Sequence, residues 1–244
     1  MQELIEPLLT AQGVISLITL VALEIVLGVD NIIFIAIICG KIADRKEQHR
    51  ARVIGLVLAL VMRIILLIFI SWIAHLVHPL FHILDFGVSG RDLILFAGGV
   101  FLIIKTVVEI FHKFKVAAAH DKSGKIGIIT MGQAIAQVAL IDIVFSFDSI
   151  ITAVGLSNQI LIMVIAVTIA MLVMIWFAPY VSDFINKYPT IKMLALAFLI
   201  GIGLVLVIES LHIHVDKSYI YVAMAFSLAV EWLNIRLRSI AHKH

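Results

Sequence analysis

The sequence predicts an all-α polytopic membrane protein: seven transmembrane helices, six of them an inverted 3+3 repeat and the seventh outside it. Three observations carry this. Of 244 residues, 63% are hydrophobic and only 14% charged, against roughly 25% charged in a soluble domain. Seven apolar runs approach or reach the length of about 20 residues that crosses a bilayer as helix. Two segments, Leu23 to Ile33 and Ile141 to Ile151, repeat one unusual pattern of acids.

The spans are expected near 14–38, 51–77, 92–111, 127–150, 159–181, 191–211 and 219–235, all within one transmembrane domain covering 1–244. Span 1 follows a start with Glu3 and Glu6, no basic residue and no small-residue cleavage site, so it is expected to remain in the mature protein. Span 2 holds Arg63 near its middle. Span 3 carries Lys105 and Glu109, four apart and able to pair on one face. Span 4 repeats the acids of span 1 and adds Gln133 and Gln137, expected either to reach a pathway or to bond a neighbouring helix. Span 6 carries Glu209 near its end, and span 7 carries Glu231 within its last two turns, where it can snorkel towards water.

Charge between the spans sets orientation. Lys41, Arg45, Lys46, Arg50 and Arg52 follow span 1, and Lys113, Lys115, Lys122 and Lys125 follow span 3. Lys187 and Lys192 follow span 5, and Arg236, Arg238 and Lys243 follow span 7. The alternate loops hold only Arg91 and Lys217. Basic loops stay cytoplasmic, which predicts an outside N-terminus and a cytoplasmic C-terminus. Cys39 is alone, so neither an intrachain disulfide nor a cysteine-based metal site is expected.

The repeat extends past the acids. Ser71-Trp72-Ile73-Ala74 aligns with Ile175-Trp176-Phe177-Ala178, and Glu109-Ile110-Phe111-His112 with Glu209-Ser210-Leu211-His212. Repeat 1 then covers about 14–111, repeat 2 about 127–211, and the extra helix about 219–235. Three spans is an odd number, so the second copy would run inverted, with binding expected at the repeat interface near the midplane.

Each copy of the motif carries an acid, five residues, then Asp and a small polar residue: Glu24, Asp30, Asn31 against Asp142, Asp148, Ser149. A carboxylate in a bilayer core costs roughly 3 kcal/mol or more, so such a set implies a compensating cation. At about 100° per residue, Glu24 and Asn31 share one helix face, as do Asp142 and Ser149, while Asp30 and Asp148 sit about a third of a turn away. Either the cavity is reached from both positions, or the helices loosen at Gly28 and Ser146. An all-oxygen donor set suits Mn²⁺, Ca²⁺ or Mg²⁺. Arg63 is the obvious internal counter-charge, acting either as a stand-in cation or as a structural ion pair. Glu109 and Glu209 read as acids at the two mouths of a pathway. Their Glu-x-x-His spacing matches di-iron bundles, but the inverted topology places the two copies at opposite surfaces.

At Glu-Ile-Val-Leu-Gly-Val-Asp-Asn (Glu24 to Asn31) and Asp-Ile-Val-Phe-Ser-Phe-Asp-Ser (Asp142 to Ser149) the chain resembles the TerC family of integral membrane proteins, over essentially its whole length. Arg91-Asp92-Leu93-Ile94-Leu95 and Tyr219 to Glu231 add to the resemblance. It implies an inverted-repeat architecture shared with LysE-type exporters and a link to manganese. It also implies that Glu24, Asp30, Asp142 and Asp148, with Asn31 and Ser149 beside them, line a metal pathway. Arg63, Gln137, Glu109, Glu209 and Glu231 are the candidate pathway or gate residues.

The resulting expectation is a divalent-cation exporter of the bacterial inner membrane that moves Mn²⁺ by alternating access, with proton exchange as a coupling route. Ca²⁺ and Mg²⁺ remain alternative substrates. No permanently bound cofactor, no catalysis and no nucleic-acid partner are expected. The partners are the bilayer, the metal ion and, in an alternative reading, the secretion machinery, to which the protein would deliver metal for secreted metalloenzymes. A third reading, an intramembrane aspartyl protease using Asp30 and Asp148, lacks the Gly-x-Gly-Asp pattern and leaves Glu24 and Asp142 unexplained.

Overall fold

A computed structural model describes residues 10–69, 79–83, 86–118, 129–156 and 159–241. Its elements, in order, are helices α1 (Ala11–Cys39) and α2 (Arg45–Ile68), strands β1 (Pro79–Ile83) and β2 (Phe86–Ser89), and helices α3 (Gly90–Ala118), α4 (Met131–Leu156), α5 (Ile160–Lys187), α6 (Pro189–Glu209) and α7 (Ser218–Ala241). Among the described residues, six helices are long and apolar enough to cross a membrane, with a shorter apolar stretch at Met131–Phe147. The helical, polytopic expectation is borne out.

Side chains at the entrances explain where several helices begin. Thr10 Oγ1 accepts from the Gly13 amide at 3.0 Å and starts α1, and Asp44 accepts from Lys46 at 3.0 Å to start α2. Ser89 and Asp92 form a reciprocal cap on α3: the Ser89 amide donates to Asp92 Oδ2 at 2.9 Å, and the Asp92 amide to Ser89 Oγ at 3.2 Å. Thr130 and Gln133 do the same for α4, at 3.1 and 3.3 Å. Each device satisfies amides that the first helical turn leaves unpaired.

One departure from an all-α chain lies between α2 and α3. β1 and β2 pair antiparallel, Phe81 opposite Val88 and Ile83 opposite Phe86, with an irregularity between Pro79 and Phe81. A search for helical periodicity passes over this segment because it is too short for a span and is bounded by Pro79 and Gly90. The hairpin pairs backbone groups that no helix takes up. The end of the expected second span, with Trp72 and His75, lies outside the described residues.

The chain divides into two compact units, Met1–Ile94 with Gly127–Asp183, and Leu95–Ile126 with Phe184–His244. In the first, α2 packs along α4 and α4 along α1. The inward stripe of α2 is Ala51, Gly55, Ala59, Arg63 and Leu67, one residue per turn. Small residues early in that stripe let α4 come close: a Cβ on Gly55 would stand 3.0 Å from Val138 Cγ1. The opposite face of α2 exposes Ile54, Val57, Leu58, Val61 and Ile65, the apolar surface a bilayer requires. In α1, every residue from Asp30 to Cys39 except Ile33 is buried, so this half of the helix is enclosed on all sides.

In the second unit, α3 and α6 cross with their backbones almost touching. A Cβ on Gly99 would lie 2.7 Å from the Gly203 carbonyl oxygen, and one on Gly203 would lie 3.0 Å from that of Gly99. Small residues at both sides are what membrane helices use for such close crossings. α6 starts at Pro189, where the missing amide hydrogen costs nothing. Beyond α6, His212 takes a left-handed φ of 62°. Asp216 Oδ1 accepts from the Ser218 amide at 2.9 Å where α7 begins, and hydrogen bonds from Ser218 hold the exposed Asp216 carboxyl below its ordinary range. α7 leaves Tyr219, Val222, Phe226, Leu233 and Leu237 exposed along its length.

Candidate functional site

The repeated acids meet in the first unit. Glu24 on α1 and Asp142 on α4 are both buried, and the guanidinium of Arg63 on α2 stands between them, itself only 3% exposed. Arg63 Nη1 donates to Glu24 Oε2 at 2.8 Å. Its other edge grips Asp142 in a fork, Nη2 to Oδ1 at 2.9 Å and Nε to Oδ2 at 3.3 Å. Bidentate pairing of this kind is among the stronger polar contacts and fixes geometry as well as charge.

Two neutral side chains complete the cluster. Asn31 Nδ2 donates to Asp142 Oδ1 at 3.1 Å, joining the first motif copy to the acid of the second. Ser146 Oγ donates to Asp142 Oδ2 at 3.0 Å from one turn along α4. Asp142 therefore receives four hydrogen bonds and Glu24 one, among the described residues. Asn31 Oδ1 is buried without a hydrogen-bond partner among them. Ser149 is buried but turns its hydroxyl onto its own helix, donating to the Ser146 carbonyl at 3.2 Å.

Neither helix loosens. α1 runs unbroken through Gly28 and α4 through Ser146, which corrects that option. Gly28 is instead a packing residue, since the sulfur of Met174 on α5 fills the place its Cβ would take. Asp30, a third of a turn from Glu24, is nonetheless only 5% exposed, because α1 is buried all round at that level. The side chain of Asp148, next to Ser149 on α4, lies outside the described ones. Among the described residues, no group of three or more His, Cys, Asp or Glu is arranged to hold a metal ion. What is assembled is two acids, one base and two neutral hydrogen-bonding side chains.

The remaining candidates fall elsewhere. Gln137 donates from Nε2 to the Gln133 carbonyl of its own helix at 3.1 Å, and Gln133 caps α4. Both bonds stay within α4 and its cap: Gln133 accepts from an amide that the helix start leaves open, and Gln137 adds a second donor to a carbonyl one turn back. Glu231 is not merely snorkelling. It accepts from Thr190 on α6 and from Asn234 on its own helix, beside a cleft of ≈ 480 Å³ lined also by Met193, Leu194, Phe226, Ser227 and Val230. Lys105 lies over the Phe101 ring at 5.8 Å. Glu109 and Glu209 are buried in the second unit, and Lys217 Nζ stands 3.4 Å from Glu209 Oε2.

Ser146 is the site residue that sequence reasoning missed. The signal was available, since it stands four residues after Asp142, where the first copy has Gly28 four residues after Glu24. Only one copy has a donor at that position.

Bilayer-length apolar helices around a buried, charged cluster define an integral membrane protein with a polar interior. The model of the integral membrane protein TerC family matches residues 9–244, and the chain belongs to that family. It is 47% identical over 224 residues to a UPF0053 protein of Haemophilus influenzae, covering 92% of this chain and 94% of the relative. It is 48% identical over 217 residues to the UPF0053 inner membrane protein YgdQ of Escherichia coli, covering 89% and 90%. Against the UPF0053 inner membrane protein YoaE of Escherichia coli the identity is 43% over 234 residues, 96% of this chain but only 44% of that longer relative. No solved structure matches.

Proposed function

We propose that the protein moves a hard divalent cation, Mn²⁺ foremost, out of the cell across the inner membrane by alternating access between two inverted three-helix repeats. The observation that carries this reading is the meeting of Glu24 and Asp142, the matching acids of the two motif copies, around one buried cation, the Arg63 guanidinium. Two carboxylates brought together inside apolar helices are costly unless they serve a positive charge. The oxygens of Glu24, Asp142 and Asn31 suit Mn²⁺, Mg²⁺ or Ca²⁺, with no thiolate to favour softer metals. Asp148 and Ser149, the counterparts of Asp30 and Asn31 in the second motif copy, belong to the same proposed pathway.

Several features support the placement. The relatives YgdQ and YoaE are called inner membrane proteins, and the basic loops favour a cytoplasmic C-terminus. A kinship with LysE-type exporters belongs to the same reading. Carboxylates that release metal in a low-dielectric cavity take up protons, which supplies a coupling route. The chemistry is transport and not catalysis. Delivery of metal to secreted enzymes would use the same cluster with a partner protein at its outlet.

The test is flux. Purified protein in liposomes, with a metal-sensitive dye inside, is expected to admit Mn²⁺ faster than Ca²⁺ or Mg²⁺ and to respond to a proton gradient. Asp142→Asn should abolish that flux. Liposomes that admit none of the three ions would overturn the proposal, and flux that appears only with a secretion partner would favour delivery.

A further inference from the structure

We infer that Arg63 is a tethered competitor: a built-in cation that holds the acids of both copies at rest and that the transported metal ion must displace. The inference rests on the transport reading and adds how the site is kept closed to solvent ions until cargo arrives.

Charge stoichiometry is the first argument. An arginine serving only as a brace needs one buried acid, because a one-to-one pair is neutral. Here one guanidinium faces two carboxylates, Glu24 at 2.8 Å and Asp142 at 2.9 Å, all three side chains at most 6% exposed. That leaves the trio with one unbalanced negative charge, an arrangement that is expensive among apolar helices. Exchange of the single positive charge for a divalent ion brings the same two acids to neutrality. The site is matched to a charge of two and is occupied at rest by a charge of one.

The unpartnered oxygen is the second. Asn31 commits its amide nitrogen to Asp142, which leaves Oδ1 buried and without a hydrogen bond among the described residues. Such an orphan acceptor calls for an occupant. It cannot be met by turning the amide, because that would bring two acceptors together at Asp142. A cation that enters beside Asp142 supplies the partner that Asn31 Oδ1 lacks.

The third argument is the kind of cation involved. Arginine stays protonated at any physiological pH, so its hold on the acids is not released by losing a proton. Competition from another cation releases it. The guanidinium is weakly hydrated and its three engaged nitrogens, Nε, Nη1 and Nη2, all face the acids. When the metal leaves, the returning side chain drives the exchange to completion and blocks re-entry.

Mn²⁺ binding to the purified protein in lipid nanodiscs, read by calorimetry, tests this alongside the flux assay. Arg63→Ala is expected to bind Mn²⁺ at least about tenfold more tightly than the wild type, which corresponds to about 1.4 kcal/mol of lost competition, and to transport it more slowly. Methylguanidinium added to Arg63→Ala should weaken Mn²⁺ binding by refilling the vacated place, and should leave the wild type unaffected. Equal or weaker Mn²⁺ affinity in a folded Arg63→Ala overturns the inference and leaves Arg63 as a brace. Should that variant fail to fold, Glu24→Gln/Arg63→Ala is compared with Glu24→Gln alone: tighter binding in the double variant supports competition, and equal or weaker binding overturns it. Failure of the transport reading looks different, since the wild type and every variant would then neither bind nor move a divalent ion.

Discussion

The two copies of the acidic motif look interchangeable as sequence and are unequal in the folded chain. Asp142 accepts four hydrogen bonds, two from Arg63 and one each from Asn31 and Ser146, whereas Glu24 accepts one. The difference starts four residues further along each helix. Ser146 supplies a hydroxyl to Asp142, while the matching Gly28 has no side chain and its space is taken by Met174. It continues at the small polar position. Asn31 reaches across to the other copy's acid, and Ser149 bonds back to its own helix. Under the transport proposal, alternation between two states requires one side to be held harder than the other in each, and this asymmetry would mark the side held here.

Substitutions put this inequality to the test. Asp142→Asn has the largest expected effect, because it removes the charge that the guanidinium fork grips and turns one accepting oxygen into a donor, so that either the Nη2 and Asn31 bonds or the Nε and Ser146 bonds are lost. Removing one member of a buried pair costs about 3–5 kcal/mol. Glu24→Gln, which leaves Arg63 clasped by Asp142, should cost nearer 1.5–3 kcal/mol, roughly that of one charged hydrogen bond. Unfolding in mixed micelles measures both, and equal losses would erase the asymmetry.

A smaller and more pointed effect is expected at Gly28. Gly28→Ser installs the hydroxyl that the second copy has, but crowds Met174 and should destabilise by about 1–3 kcal/mol. Pairing it with Met174→Ala should recover most of that loss. If stability is not regained, crowding by Met174 is not why glycine stands there. Ser146→Ala is expected to have the mildest effect, about 1.5 kcal/mol or less, since Asp142 keeps three donors. The same unfolding measurement should rank it below Glu24→Gln.

Much of this was legible in the residues alone. Helical spans follow from long apolar runs, and the positions of Glu24, Asp142 and Arg63 near the middle of their spans point to one another, because charges inside a membrane must be compensated. The seven-residue spacing from Glu24 to Asn31 was enough to put both on one face, and the structure joins both to Asp142 through Arg63 and the amide. Asp30 was harder. Helical periodicity put it off the acidic face and suggested a cavity wide enough to reach both positions or a loosened helix, but periodicity cannot say how many neighbours surround a helix. α1 is enclosed on every side from Asp30 onward, so the off-face acid is buried without any break. Gln137 shows another limit of one-helix patterns: periodicity gives its face but not its partner, which is the Gln133 carbonyl of its own helix.

By itself, then, the chain determined its solvent, its helical segments and which charges had to be neutralised, because these depend on composition and on the period of one helix. The tertiary structure decided who neutralises whom. Whether Arg63 turns its fork to α1 or to α4, whether Gly28 bends a helix or admits Met174, and which acid gathers the most donors all depend on the placement of separate helices to within about an ångström. Hydrogen bonds discriminate on that scale, and a pattern read along a single helix does not carry it.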